Sequence, residues 1–308
     1  MILSKEKASK NLVAITFLTD PIIVLALIGF LMVQLWAFII DYHGISVQDT
    51  VLFWFLGVFF YYLAHLFYEF SNRYEKLNYI ANSFKAISYI VILQLCFIAF
   101  MVTYAPLSPF PYFDHIVNNW DLTLGFNVAN FCQYFQHQQP ETFSFFYYIY
   151  GTGLKIAIAS YLILGITLFT KRFQKSLVLF ALISVITLLI IFFFPILSPV
   201  SSYPDAKHCL VHFYDYVTPI LKFRKTHLNP VNDDVSFPSY HVILILTVAY
   251  GLWSRFKWMN CLLVLMVILI TLSTLVLGQH YLVDVLCSYL LFFVVWLIEA
   301  FRSKRIVL

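Results

Sequence analysis

Residues 259–284 read Met-Asn-Cys-Leu-Leu-Val-Leu-Met-Val-Ile-Leu-Ile-Thr-Leu-Ser-Thr-Leu-Val-Leu-Gly-Gln-His-Tyr-Leu-Val-Asp. No charged side chain interrupts the run from Met259 to Leu277, and its length suits a helix that crosses hydrocarbon. The run stops at Gly278, and His280 and Asp284 follow at its mouth. Ionisable groups at the edge of a membrane span are costly enough to call for a chemical reason.

The rest of the chain is of the same kind. Of its 308 residues 62% are hydrophobic and 11% charged, whereas a soluble domain is about a quarter charged. Mean hydropathy is +0.85. Apolar runs of roughly 20 residues recur, which excludes an ordinary soluble domain and predicts a polytopic helical membrane protein. The 33 Phe and 21 Tyr fit wide lipid contact and interfacial anchoring. The net charge of +4 comes from basic residues dispersed over short loops, so orientation signals are read there and nucleic acid is not expected as a partner. The five cysteines, Cys96, Cys132, Cys209, Cys261 and Cys287, have neither CxxC nor metal-type spacing, and no metal site is expected. Cys132 and Cys209 fall in loops on one side and form a candidate disulfide pair. No Walker or dinucleotide fingerprint occurs, and no cofactor is expected.

In chain order the expected spans are 21–40, 51–68, 86–105, 147–169, 177–197, 239–253, 259–277 and 281–301. The first is too long for a signal peptide and lacks a small-residue cleavage site, so it reads as an uncleaved span. Residues 1–85 then form a two-span extension and 86–308 a six-span core. The stretch 106–142 has no Lys or Arg, and Phe113, Ile116, Val117, Trp120, Leu124, Val128, Phe131 and Phe135 recur at helical steps. It reads either as an amphipathic element in the interface or as a loop packed on the bundle. The loop 198–237 is the most polar part of the chain. The fold class is therefore all-α, a membrane bundle of about eight transmembrane helices.

Basic residues orient it. Loops alternate between two sides, and 14 of the 19 Lys and Arg fall on the side of the N-terminus, the 73–85 and 171–175 loops, Arg255/Lys257 and the C-terminal tail. The positive-inside rule makes that side cytoplasmic and turns both His280 and the loop 198–237 the other way, to periplasm, lumen or exterior.

A second polar stretch, Ser236-Phe237-Pro238-Ser239-Tyr240-His241, lies on that same side. Ser236 with Pro238 after it reads as a helix start, and the free N–H groups of a helix N-terminus suit phosphate oxygens. His241 sits one turn in, placed to protonate a leaving oxygen. His280 and Asp284, four apart, share a helix face, and a carboxylate on one ring nitrogen leaves the other as base or nucleophile. Each stretch alone also fits a plain structural role, as a surface His–Asp pair or a capped helix with an interfacial histidine. Two such stretches on one side point to phosphoryl transfer.

These stretches resemble the signature motifs of the PAP2 (type 2 phosphatidic acid phosphatase) superfamily. Its third motif, Ser-Arg, five residues, His, three residues, Asp, corresponds to Ser273-Thr274, His280 and Asp284 here. Its second, Pro-Ser-Gly-His, corresponds to Pro238-Ser239-Tyr240-His241. Its first, Lys, six residues, Arg-Pro, fits Lys222, six residues, Asn229-Pro230. The resemblance runs from about the third span to the eighth. Both motif arginines are missing, replaced by Asn229 and Thr274. A monoester dianion is normally held by several cations, Arg above all, so the replacements favour a phosphodiester. In this, and in Asp121 to Phe126, the chain is most similar to the inositol phosphorylceramide synthase (aureobasidin-target) branch, and more distantly to sphingomyelin synthases.

The resemblance implies that His280 attacks phosphorus, Asp284 orients it and His241 serves as acid and then base. It also implies that Ser239 and Lys222 hold phosphoryl oxygens, with Asn229, Tyr240 and Gln279 beside them. Lys155, inside the fourth span, either points into the site or snorkels to the surface. Arg224, Lys225 or His227 are alternatives to Lys222. Membrane lipids are the expected partners, with no obligatory protein partner. Headgroup transfer to a lipid hydroxyl is the leading expectation. A lipid phosphate or polyprenyl-pyrophosphate phosphatase is the enzymatic alternative, and a transporter that keeps only the fold is the non-enzymatic one.

Overall fold

The protein is described here from a computed structural model, which covers residues 110–168, 171–196, 198–203 and 237–305, with isolated positions at 59, 61–63, 84 and 88. Apart from those isolated positions, the extension 1–85 and the first three expected spans lie outside the described residues, as does most of the loop 198–237, Lys222, Asn229 and Cys209 included.

Among the described residues every regular element is helical. The stretch expected to lie in the interface is two helices rather than one, α1 (Asp114–Thr123) and α2 (Val128–Gln138). The break is local chemistry. Gly125, at φ +77°, ends α1 in a left-handed residue, with Gly125 N bonded to Leu122 O and Phe126 N to Asp121 O, the two bonds of a Schellman end. Asn127 then starts α2 by accepting the Asn130 N–H at 2.9 Å. The apolar stripe read from the sequence does not all lie on one buried face. Asp114, Val117 and Asp121 are the buried residues of α1, whereas Trp120, Leu122 and Leu124 are exposed.

Pro140 at the first position starts α3 (Pro140–Tyr148), which continues through a π-helical turn, Ile149–Gly153, into α4 (Leu154–Leu168). This span thus begins earlier than the expected Tyr147. After it come α5 (Lys171–Phe193), the short α6 (Pro199–Ser202), α7 (Tyr240–Leu252), α8 (Lys257–Val276) and α9 (Leu282–Arg305). Among the described residues four stretches are long and apolar enough to cross a membrane: Pro140–Leu164, Lys175–Phe193, Lys257–Val276 and Leu282–Phe301.

Helix α7 is the hub. It is apolar all round, the pattern of a helix with no wet face, and it packs against α4, α5, α8 and α9. Ile245, Val248 and Leu252 join Tyr161, Phe173 and Phe180 in one cluster, and Ile243 joins Leu179, Ile183 and Val295 in another. A Cβ on Gly251 would come within 2.6 Å of the Tyr161 ring and Ser176 Oγ, which is how closely α7 approaches α4 and α5. At its far end the Arg172 guanidinium donates to Trp253 O at 2.7 Å.

With 13 residues, α7 rises only about 20 Å. Tyr240 OH meets Ser184 Oγ at 3.4 Å, and α5 runs on to Phe193, about 13 Å further at ~1.5 Å per residue. The start of α7 is therefore recessed below the outer end of the bundle.

Candidate active site

The approach to His280 is set by how α8 stops. Gly278, at φ +65°, follows the last turn. Gln279 N donates to Thr274 O at 2.9 Å and Gly278 N to Leu275 O at 3.0 Å, the same glycine ending as that of α1. The chain then reverses through Gln279, His280 and Tyr281 before α9. His280 therefore lies in the turn ahead of the helix, whereas the sequence reading put it on the helix face. The expected neighbour is retained: His280 Nδ1 stands 3.6 Å from Asp284 Oδ2, with His280 5% exposed and Asp284 fully buried. The same Oδ2 accepts the Tyr281 N–H at 2.9 Å, as the third helical residue does in a capping box.

Two further backbone donors follow, those of Leu282 and Val283. Tyr281, which precedes them, has no short side-chain acceptor of the kind that normally caps a helix. Asp121 of α1 supplies it, with Oδ2 accepting from Leu282 N at 2.8 Å and Oδ1 from Val283 N at 2.9 Å. Burial pushes the Asp121 carboxyl above the usual carboxylate range, against the two N–H bonds that draw it down. Tyr281 is fully buried. Its hydroxyl meets Ser202 Oγ at 2.7 Å, Ser198 O at 3.2 Å and Asp114 Oδ1 at 3.4 Å. Asp114 also accepts Ser198 N at 3.1 Å. Nearby, Tyr203 donates to Asn118 Oδ1 at 2.6 Å; burial and then the Asp121 charge raise its phenol.

The second histidine comes from α7. Pro238, after a cis peptide bond with Phe237, precedes the N-cap residue Ser239, so the helix starts later than Ser236–Pro238 suggested. Ser239 Oγ is fully buried and has no partner among the described residues, while its carbonyl accepts Ser288 Oγ at 3.2 Å and Ile243 N at 3.1 Å. His241, partly buried, has its ring 6.0 Å from that of His280, edge to face. On its other side Tyr150, from the π-helical turn, stacks at 4.3 Å and sets its hydroxyl 3.2 Å from His241 Nδ1. π-turns of this kind recur at functional sites.

His241, His280, Asp284 and Ser239 thus meet at one recess. The Gln279 Oε1 atom is buried without a partner among the described residues and adjoins His280 in the turn. Tyr240 turns elsewhere, packing its ring on Phe180 at 5.7 Å and reaching Ser184. Lys155 is exposed, beside exposed Ile156 and away from the buried Leu154, Ala157 and Tyr161. Thr274, where the motif arginine would be, is fully buried, and its hydroxyl donates to Thr271 O at 2.8 Å. Cys132 is buried and disulfide-bonded. Tyr150 and the contacts of Asp114 carried no signal in the sequence reading beyond the glycines near Tyr150, whereas Asp121 was marked there only through the resemblance of the segment Asp121 to Phe126.

The arrangement offers two imidazoles to one small volume, one backed by a carboxylate and one by a phenol. A buried hydroxyl and the N–H groups of a helix start, which have no intrahelical acceptor, lie beside them. These are groups for moving protons and holding an anion. The family model for the PAP2 superfamily matches residues 115–298, a stretch that begins in α1, ends in α9 and contains both histidines. No curated protein and no solved structure matches the chain.

Proposed function

The chain belongs to the PAP2 superfamily of phosphatases and phosphotransferases, and from that premise we propose an integral-membrane enzyme that acts on lipid phosphate esters through a phosphohistidine on His280. The observation that carries the reading is the pairing of the His241 and His280 rings at 6.0 Å, with Asp284 3.6 Å behind His280 Nδ1. Asp284 occupies the Nδ1 side, which leaves Nε2 to attack phosphorus. The N–P bond forms as the bond from phosphorus to the leaving oxygen breaks, and His241 gives that oxygen a proton. His241 then takes the proton of an incoming hydroxyl, whose oxygen attacks phosphorus and frees His280. Ser239 Oγ and the amides at the start of α7 are the donors proposed for the phosphoryl oxygens.

Tyr150 suits this alternation, because its oxygen can accept the Nδ1–H and so leave Nε2 as the atom that gives and takes the proton. Tyr150→Phe keeps the stack and removes the hydroxyl. Turnover is expected to fall about two- to tenfold, the worth of one hydrogen bond. An unchanged rate would remove Tyr150 from the proton path.

Phosphodiester headgroup transfer to a lipid hydroxyl is the finer reading. Thr274 replaces one phosphate-clamping arginine and is bonded within its own helix. Among the described side chains the cations are Lys155, exposed on α4, and Arg172, Lys175, Arg255 and Lys257 towards the opposite end of α7. A singly charged diester needs less positive charge than a monoester dianion. Purified protein in mixed micelles should therefore act on intact phospholipid plus a lipid alcohol in preference to phosphatidic acid. Phosphate release from phosphatidic acid alone would overturn the diester reading and leave a lipid phosphatase. The site is proposed to face the extracytoplasmic side, with both termini cytoplasmic. The basic-residue asymmetry and a disulfide at Cys132, a bond of oxidising compartments, support that orientation.

A further inference from the structure

We propose that Asp121 of α1 is a positioning residue that holds the His280 turn in its reactive geometry. The inference rests on the phosphohistidine reading and names the group that keeps the nucleophile in place. His280 sits between two weak points. Before it is Gly278 at φ +65°, a residue with wide conformational freedom. After it is a helix start whose own sequence supplies no side-chain cap at Tyr281.

Three consecutive amides cross this gap, and two carboxylates take them. Asp284 takes Tyr281 N; Asp121 takes Leu282 N and Val283 N, one on each oxygen. Asp284 can orient His280 only if its own helix start is fixed, and Asp121, fully buried and remote in sequence, fixes it. A buried carboxylate is a costly way to cap a helix, since a Ser or Asp at 281 would do so locally. Position 281 holds instead a fully buried tyrosine, whose hydroxyl is received by Asp114 and Ser198 O. Asp114 and Asp121 lie two turns apart on one face of α1. Trp120, Leu122 and Leu124 are exposed. The helix thus braces the turn with its buried face and offers apolar side chains outward.

The test uses the full-length protein in detergent with Asp121→Asn, which keeps size and shape but turns an amide NH₂ towards one of the two donors. The probe is an alkyl p-nitrophenyl phosphodiester in mixed micelles, with p-nitrophenolate in the place of the departing lipid alkoxide, and hydrogen exchange of residues 279–284 is followed alongside. Exchange at Leu282 and Val283 is expected to rise at least about tenfold, with the middle of α9 still protected. In parallel kcat should fall about 10- to 100-fold while KM stays within about threefold. A merely structural cap would lower the unfolding temperature and leave kcat per folded molecule unchanged, and that result would overturn the proposal. Unchanged exchange at these amides would overturn it too. His280→Gln run beside it separates the two failures: full activity there would sink the phosphohistidine reading itself, whereas an inactive His280→Gln with an unaffected Asp121→Asn sinks only the brace.

Discussion

Purified His280→Gln protein is expected to turn over an alkyl p-nitrophenyl phosphodiester at least about 10⁴-fold more slowly than wild type, with no phosphoenzyme formed. Glutamine fills a similar volume at a site only 5% exposed and can still face Asp284, so the bundle should fold and elute as the wild type does. It cannot form the N–P bond, because an amide nitrogen has no free lone pair. Wild-type protein quenched during turnover should carry phosphorus on a bond that acid breaks and base does not, as a phosphoramidate behaves. The large effect follows from role. Ser239 and the α7 amides, proposed as the phosphoryl donors, would still bind the phosphoryl group, but an unactivated serine hydroxyl is a poor substitute for an imidazole nucleophile. Retention of more than a tenth of the activity, or a labelled variant, would move the covalent step away from His280.

The fold was legible where periodicity and length decide it. Residues 259–277 and 281–301 were read as spans, and helices Lys257–Val276 and Leu282–Arg305 stand there. The motif spacing likewise brought His241, His280 and Asp284 together. Sequence failed where a single backbone angle or a distant partner decides. His280 and Asp284 at i and i+4 look helical, yet Gly278 ends α8 and puts His280 in the turn. Trp120 and Leu124 read as part of a single apolar face shared with Val117 and Val128. Gly125 breaks the helix, and the inner positions go to Asp114 and Asp121, because their carboxylates have backbone donors to meet there. No local pattern announces an acceptor so far along the chain, nor a π-turn that sets Tyr150 on His241. Lys155 is the opposite case. A cation in an apolar run invited a role in the site, and snorkelling to an exposed position satisfies it more simply.

The second large effect belongs to His241, and it depends on the leaving group. His241→Ala should lower transfer from an ordinary phospholipid by about 10²–10⁴-fold, the range for removing a positioned acid–base group. The lipid alkoxide departs poorly without a proton, and Tyr150, 3.2 Å from His241 Nδ1, is bonded to the ring nitrogen away from the substrate. A p-nitrophenolate leaving group needs no proton. With an alkyl p-nitrophenyl phosphodiester, in which p-nitrophenolate takes the place of the departing lipid alkoxide, the variant should therefore still form the His280 phosphoenzyme and release a burst of p-nitrophenolate matching the enzyme present. It should then stall, since the same lost imidazole would have activated the incoming hydroxyl. The variant thus separates the two halves of the cycle: a burst followed by a halt requires His241 as acid in the first half and base in the second. Steady turnover of the activated ester at the wild-type rate would show that another group activates the hydroxyl. Absence of the burst, with His280 intact, would mean that His241 positions the substrate and moves no proton.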